Sequence, residues 1–359
     1  MKHIICFHLL NDYSGSPKVL NTVLKGLLDK GYPVDLYTSD GGSLDELLPH
    51  KNLRKVSCHY HFSTNPVLTL LRFFRVQVVT LILAFRYLFD RNVVFYINTV
   101  LPCGPALAGW LMRKRVIYHC HEFILKKGWT YKLLGKLMQM IATEIICVSQ
   151  DQRKTIGREK GVVVIPNALP DEFSRRLSSA SSVHMEQKTV LMLSSLKSYK
   201  GISEFIKLAH LLPKYYFLLV LNDTEENISL FFKENELDSP ANMSIYPRQK
   251  DVIPFYTRSS LVLNLSDKGR FIETSGLTVI EAMMAGLPVI VPTVGGISEM
   301  VRDGVNGYKI DAQNIEAITG KIDQLLSDRK EYERMHCNAL KVRQQFSAAC
   351  MIDSVLSLL

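Results

Sequence analysis

Residues 273–307 read ETSGLTVIEAMMAGLPVIVPTVGGISEMVRDGVNG, and within that mostly apolar run two carboxylates, Glu273 and Glu281, stand with seven residues between them. From Gly276 to Pro292 the only polar side chains are Thr278 and Glu281. The helix predicted over 277–285 therefore offers little to solvent and should be largely buried. Glu281 shares its face with Leu277, Ile280 and Met284. Burying an ionised carboxylate without partners is costly, so Glu281 needs donors around it, and the hydroxyls of a ligand would serve.

The start of this helix can be read in two ways. Thr278 and Glu281 spell a capping box, in which each side chain satisfies the other's backbone N–H. A helix capped at Thr278 has only seven residues before Gly286, and the box leaves Glu273 without a role. A start nearer Ser275 instead opens the N–H groups of Ser275, Gly276, Leu277 and Thr278 toward whatever Glu273 faces. Such a start is an anion site suited to phosphates.

The segment resembles the Glu-x7-Glu signature of the family 4 retaining glycosyltransferases of the GT-B fold. The resemblance runs through Ser275-Gly276-Leu277, Glu281-Ala282-Met283, Ala285-Gly286-Leu287-Pro288-Val289, Gly295-Gly296, Glu299 and Asp303-Gly304-x-Asn306-Gly307. It implies an α/β chain with two facing Rossmann-like, doubly wound domains and an interdomain cleft. It also implies roles: Glu281 on the ribose hydroxyls of a nucleotide diphosphate sugar, and Glu273 near the sugar's anomeric carbon. The donor would be a UDP- or GDP-sugar, with no other cofactor and no metal.

Three further stretches fit this pattern with departures. VLMLSSLKSYKG at 190–201 is similar to the family's Gly-Arg-Leu-x-x-x-Lys-Gly, where Arg and Lys grip the donor diphosphate. Lys200-Gly201 matches, but Ser194 replaces the glycine and Ser195 the arginine. A serine lacks the bidentate guanidinium fork, so a charged contact is missing or comes from elsewhere, with Lys197, Lys268 and Arg270 as candidates. In NDYSGSPKVL, Ser14-Gly15 stands where the family has Gly-Gly, either a plain strand-to-helix turn or a close approach to phosphate. The strand over 115–120 ends in HCHE; alternation puts His119 and His121 on one side, and the resemblance favours His121-Glu122 as the pair near the donor sugar.

Alternating strand and helix signals cover both halves, as parallel sheets with helices on both faces require. Strands are expected near 3–9, 33–38, 93–97, 115–120, 144–148 and 162–165, and again near 189–194, 216–221, 243–246, 261–265, 288–291 and 308–310. The domain division is 1–173 for the acceptor side, a polar Ser-rich linker at 174–188, 189–341 for the nucleotide sugar, and a helix over 342–359 crossing back to the first domain. No Asp-x-Asp and no metal-ligand spacing occurs.

At 359 residues with 47% hydrophobic and 21% charged side chains, the chain has the composition of a globular protein of about two domains. Its net charge of +9 is uneven: residues 1–173 carry 22 Lys/Arg against 13 Asp/Glu, and 174–359 carry 21 against 21. The seven cysteines show no CxxC pair, consistent with free thiols in a reducing compartment. Within the basic half, 66–89 mixes Leu, Phe and Val with Arg72, Arg75 and Arg86, and its longest charge-free run, Val76 to Phe85, is too short to span a bilayer. LKKGWTYKLLGKLMQ at 125–139 sets Lys126, Lys127, Lys132 and Lys136 beside Trp129, Tyr131 and Leu133. Either stretch reads as an ordinary core-facing helix or as an interfacial one. The expectation is a cytoplasmic glycosyltransferase, peripheral at the inner face of a membrane, acting on a glycan or lipid-linked acceptor and on no nucleic acid. A nucleotide-sugar 2-epimerase of the same fold and a degenerate nucleotide-sugar-binding subunit are the alternatives.

Overall fold

The computed structural model describes residues 1–61, 63, 65–124, 128–179 and 185–359. The chain divides into two compact units, Met1–Ala168 with Ala348–Leu359, and Leu169–Ser347.

The first unit is built on seven parallel strands: β1 (His3–Phe7), β2 (Val34–Thr38), β3 (Leu53–Ser57), β4 (Val93–Asn98), β5 (Arg115–Cys120), β6 (Glu144–Cys147) and β7 (Val162–Val164). Their order is β3-β2-β1-β4-β5-β6-β7. Its helices up to residue 168 are α1 (Gly15–Asp29), α2 (Pro66–Ala84), α3 (Cys103–Leu111), α4 (Trp129–Ile141) and α5 (Gln150–Thr155). Alternate strand residues serve opposite faces of the sheet. Ile5, Phe7, Phe95 and Tyr118 pack in one core with Val76 and Ala84 of α2, Ala106 of α3 and Met138 of α4.

The second unit repeats the plan with α6 (Asp171–Ser179), β8 (Thr189–Ser194), α7 (Ile202–Leu211), β9 (Tyr216–Leu221), α8 (Glu225–Glu234), β10 (Met243–Tyr246), α9 (Ile253–Thr257) and β11 (Leu261–Leu263). It continues through α10 (Leu277–Met284), β12 (Val289–Val291), α11 (Gly296–Glu299), β13 (Gly307–Lys309), α12 (Ile315–Ser327) and α13 (Arg329–Leu340). The order β10-β9-β8-β11-β12-β13 is again all parallel. Successive residues feed two separate cores: Val190 and Met192 join α7 and α12 on one face, while Leu191 joins α9 and α10 on the other. Both sheets are therefore doubly wound, and each strand order reverses beside its first strand, between β1 and β4 and between β8 and β11. In such sheets ligands bind beyond the carboxyl ends of the strands at that reversal.

Three expectations are corrected. Residues 174–179 of the expected linker belong to α6, because Phe173 and Leu177 recur at i, i+4 and Leu177 is fully buried in the second unit. Residues 180–184 lie outside the described residues. Strand β3, absent from the sequence reading, is an edge strand with Arg54, Lys55 and Ser57 and no fully buried residue. The expected helix over 342–359 is two pieces: a 3-10 turn at Lys341–Phe346, which packs in the second unit, and α14 (Ala348–Leu356) in the first. There α14 lies so close to α1 that a Cβ at Gly26 would meet Ile352 Cδ1 at 2.2 Å.

Candidate active site

In the second unit the loops leaving β8 and β11 are joined by backbone and side chains. The N–H of Asp267 donates to the Tyr199 carbonyl at 2.9 Å. Tyr199 and Phe271 stack with ring centroids 4.9 Å apart, and the Lys200 ammonium sits 4.1 Å from the Phe271 centroid. Lys200 Nζ pairs with Glu273 Oε1, both side chains about 15% exposed or less, and Ser266 Oγ donates to the same carboxylate oxygen at 3.0 Å. Gly201 makes the turn after Lys200 with φ +81°, and a Cβ there would meet the Leu265 carbonyl oxygen at 2.3 Å. Only glycine meets both demands.

The glycine pair downstream holds Glu273 by its backbone. Gly296 N–H donates to the Glu273 carbonyl at 2.9 Å, and Gly295, at φ +93°, would place a Cβ 2.5 Å from that oxygen.

Helix α10 settles the choice of start. Its N-cap is Gly276, which makes no side-chain cap, and Glu281 instead accepts from the Tyr256 hydroxyl of α9 at 2.5 Å. The capping box is therefore not formed; Thr278 lies inside the first turn, and Ser275 and Gly276 precede a helix that begins at Leu277. Gly276 itself brings no side chain to the N–H groups of that turn. Burial, and then the Glu281 carboxylate, push the Tyr256 phenol well above its ordinary pKa, so it remains a donor.

Of the candidates for the missing arginine, Lys268 is paired with Asp311 at 2.8 Å, and Lys197 is exposed just before the 3-10 turn Ser198–Lys200. Arg270 donates to Ser198 Oγ at 2.9 Å and so lies against the loop that carries Ser195 and Lys200. Ser195, one residue past β8, is half-buried, and its carbonyl accepts from the Lys197 N–H.

In the first unit, Gly15 is the exposed first residue of α1 with an ordinary φ, so the turn after β1 does not require glycine there. Asp12 Oδ1 ties this turn by accepting from Ser14 N–H at 2.8 Å.

The structure separates the two histidines that alternation could not. His119 is fully buried, with Nδ1 2.8 Å from the Tyr96 hydroxyl. His121 lies just past β5, its ring 4.2 Å from that of His119, and its Nε2 is 3.0 Å from Asn98 Oδ1. The Asn98 amide nitrogen lies 3.1 Å from His8 Nδ1. Asn98 thus accepts from His121 Nε2–H and donates to His8, so this chain of bonds places a proton on His121 Nε2. Burial above all, then His119 and His8, hold the His121 pKa well below its usual value. Burial likewise lowers His8 to about 4 and His119 to about 3.

Sequence reasoning missed Asn98, His8, Ser266 and Tyr256. Among the described residues no three His, Cys, Asp or Glu side chains gather as a metal site.

Comparison with known proteins covers nearly the whole chain. The family model described as glycosyl transferases group 1 matches residues 173–342, and that described as Glycosyltransferase Family 4 matches residues 13–173. An uncharacterized glycosyltransferase of Haemophilus influenzae is 26% identical over 67% of this chain and 68% of its own. The capsular polysaccharide biosynthesis glycosyltransferase CapM of Staphylococcus aureus is 23% identical over 76% of this chain and 78% of its own. Among solved structures, Anabaena HepE in complex with UDP and glucose superposes with a TM-score of 0.78 at 19% identity, covering 99% of both chains.

Proposed function

The chain belongs to the family 4 glycosyltransferases of the GT-B fold, and from that premise we propose that it transfers a sugar, with retention, from a nucleotide diphosphate sugar to a glycan or lipid-linked acceptor in polysaccharide or cell-envelope biosynthesis. The reading rests on one observation above all: a part-buried Lys200–Glu273 pair held beyond the carboxyl ends of β8 and β11, in the loop that leads to α10. UDP is the favoured nucleotide, since HepE was solved with UDP and glucose and with UDP-glucose. CapM's part in capsular polysaccharide biosynthesis points to a glycan acceptor.

In this reading Glu281 holds the ribose hydroxyls, and the Tyr256 hydroxyl fixes its carboxylate for that task. Glu273 faces the sugar and stabilises positive charge developing at the anomeric carbon. The bond from that carbon to the diphosphate oxygen breaks with its electron pair leaving on the diphosphate. A bond to the acceptor hydroxyl oxygen forms on the same face, and the hydroxyl proton is lost to the departing phosphate oxygen. Lys200 has three N–H donors and can hold Glu273 and a phosphate oxygen together. With Arg270, Lys197 and the N–H groups of residues 275–278, it meets charge on the leaving group. His121, neutral and oriented by Asn98, positions the sugar.

The test separates binding from turnover. Glu281→Ala is expected to weaken donor binding, read by thermal shift against a panel of nucleotide sugars, while Glu273→Gln lowers turnover and leaves donor affinity nearly intact. Equal losses of donor affinity from both changes would end this division of roles. Product analysis without acceptor also tests the class: interconversion at the sugar's C2 would mark an epimerase, and binding with no turnover a degenerate subunit.

A further inference from the structure

Helix α2 is apolar on two opposite sides. Val76, Thr80 and Ala84 are buried in the first unit's core, and Gln77 Oε1 accepts from the Gly104 N–H of α3 at 2.8 Å. On the other side Val67, Leu71, Phe74, Val78 and Ile82 recur at steps of three and four, and all are exposed, Phe74 by 58% and Ile82 by 62%. Phe85 and Phe89 extend the row, Phe89 90% exposed. A core-facing helix does not account for this second row.

The neighbouring helices continue it. α3 packs between α2 and α4. It leaves Trp110 and Leu111 exposed, while α4 exposes Trp129, Leu133 and Met140 together with Lys132 and Lys136. Lys126 and Lys127 lie outside the described residues. Large apolar side chains exposed on three helices that pack in sequence are more than the single ones scattered over an ordinary monomer.

At the end of the row is a cavity of about 280 Å³ lined by five cations, Lys2, Arg91, Arg113, Lys114 and Arg115. No Asp or Glu is among its lining residues, which also include Leu359; of the five cations Arg115 is paired outside the cavity with Glu144 at 3.7 Å. Lys114 Nζ donates to the Leu88 carbonyl at 3.0 Å and the Asp90 carbonyl at 2.5 Å, which fixes the cavity beside Phe89. Arg113 and Lys114 follow Trp110 and Leu111 directly.

We propose that this face of the first unit docks on an anionic lipid bilayer, with the outer row of α2 in the headgroup and acyl boundary and a lipid phosphate in the five-cation cavity. The charge selects this occupant. A second copy of the chain would bring the same basic surface against itself, and like charges oppose that contact. A bilayer bearing anionic headgroups complements it, and apolar rows flanked by Lys and Arg are the composition of interfacial helices.

By length and composition the stretch Pro66–Tyr87 is also apolar enough to cross a membrane, with 22% of its most apolar part buried. The buried flank argues for lying on the surface instead. A Cβ at Gly104 would meet the Gln77 carbonyl oxygen at 2.2 Å, so α2 and α3 are in close contact, and a crossing helix would have to strip that flank from the core.

The docking face is separate from the donor residues, and its test reads binding rather than turnover. The full chain is sedimented with vesicles of phosphatidylcholine alone or mixed with phosphatidylglycerol, at low and high salt. Binding should rise with phosphatidylglycerol and fall with salt. Phe74→Asp with Ile82→Asp should abolish it while leaving circular dichroism and donor binding unchanged. Arg91→Ser with Arg113→Ser should weaken it about fivefold for each charge removed. Failure to bind anionic vesicles at low salt would overturn the proposal, as would equal, salt-insensitive binding to neutral ones. A concentration-dependent dimer that Phe74→Asp disrupts would assign the face to a second copy.

Discussion

The two units share one strand order around the point where it reverses, yet the chemistry set there is opposite. Beyond β8 and β11 stands an ion pair, Lys200 with Glu273. Beyond β1, β4 and β5 stand neutral rings and an amide, Asn98 between His8 and His121 with His119 beside them, and the Glu122 carboxyl accepts from the His121 backbone N–H. Topology supplies the position; burial and partners decide the charge. In the second unit Lys200 faces the opposite charge of Glu273, while Glu281 is met by a phenol. In the first, the described ring partners of the histidines are an amide, a phenol and one another, and desolvation keeps the rings neutral. One unit is thereby suited to meeting phosphate and developing positive charge, and the other to orienting hydroxyls without adding charge.

The largest effect that would break this contrast is loss of half of the ion pair. Lys200→Met leaves the Glu273 carboxylate buried without its cation, which costs about 3 kcal/mol of stability, and removes a leaving-group contact, for a roughly hundredfold loss of turnover. The double variant Lys200→Met with Glu273→Gln should recover most of the stability and none of the activity. Urea unfolding and initial rates on the three proteins check this. Activity returning with stability in the double variant would show the pair to be structural only.

A middle-sized effect is expected where the neutral cluster is charged. His121 has a depressed pKa, so wild type should show no loss of turnover from its protonation as pH falls from 8 through the ordinary imidazole value of about 6.5. Asn98→Asp puts a carboxylate against His121 and His8, which raises their pKa values and should create an acid limb, with activity falling as pH drops through the new value. Asn98→Ala should cost about tenfold in turnover with a flat profile, because the ring loses its acceptor and not its neutrality. Unchanged pH profiles and rates in both variants would confine Asn98 to a structural role.

Much of this was readable from spacing, and what was not follows from tertiary order. Buried parallel strands appear as apolar runs, so VVFYI at 93–97 and YFLLVL at 216–221 were recognisable, while β3, half-exposed with Arg54 and Lys55, carried no such signal. Glu273 and Glu281 stood out by their spacing in an apolar run, and Lys200 by the resemblance of residues 190–201 to the family's pattern. Asn98 did not: it matters only because β4 lies between β1 and β5 in the sheet, an order no local pattern states. Tyr256 likewise comes from α9, a five-residue helix whose tyrosine hydroxyl reaches Glu281 across the fold.

The smallest effect concerns the charge that Ser195 does not supply. Arg270 is exposed and held at Ser198, against the same loop, so it is placed to take the arginine's part, but solvent screens it. An exposed cation of this kind contributes about 1 kcal/mol to phosphate binding, so Arg270→Ala should weaken nucleoside diphosphate binding about fivefold and leave nucleoside binding unchanged. Adding Ser195→Arg places a guanidinium fork directly past β8 and should restore or exceed wild-type affinity, since a bidentate contact from a half-buried position is screened less. Calorimetric titration with UDP and uridine on the single and double variants reads both arms. Equal loss for UDP and uridine in Arg270→Ala would place Arg270 in the loop's architecture and leave Lys200 as the cation that meets the diphosphate.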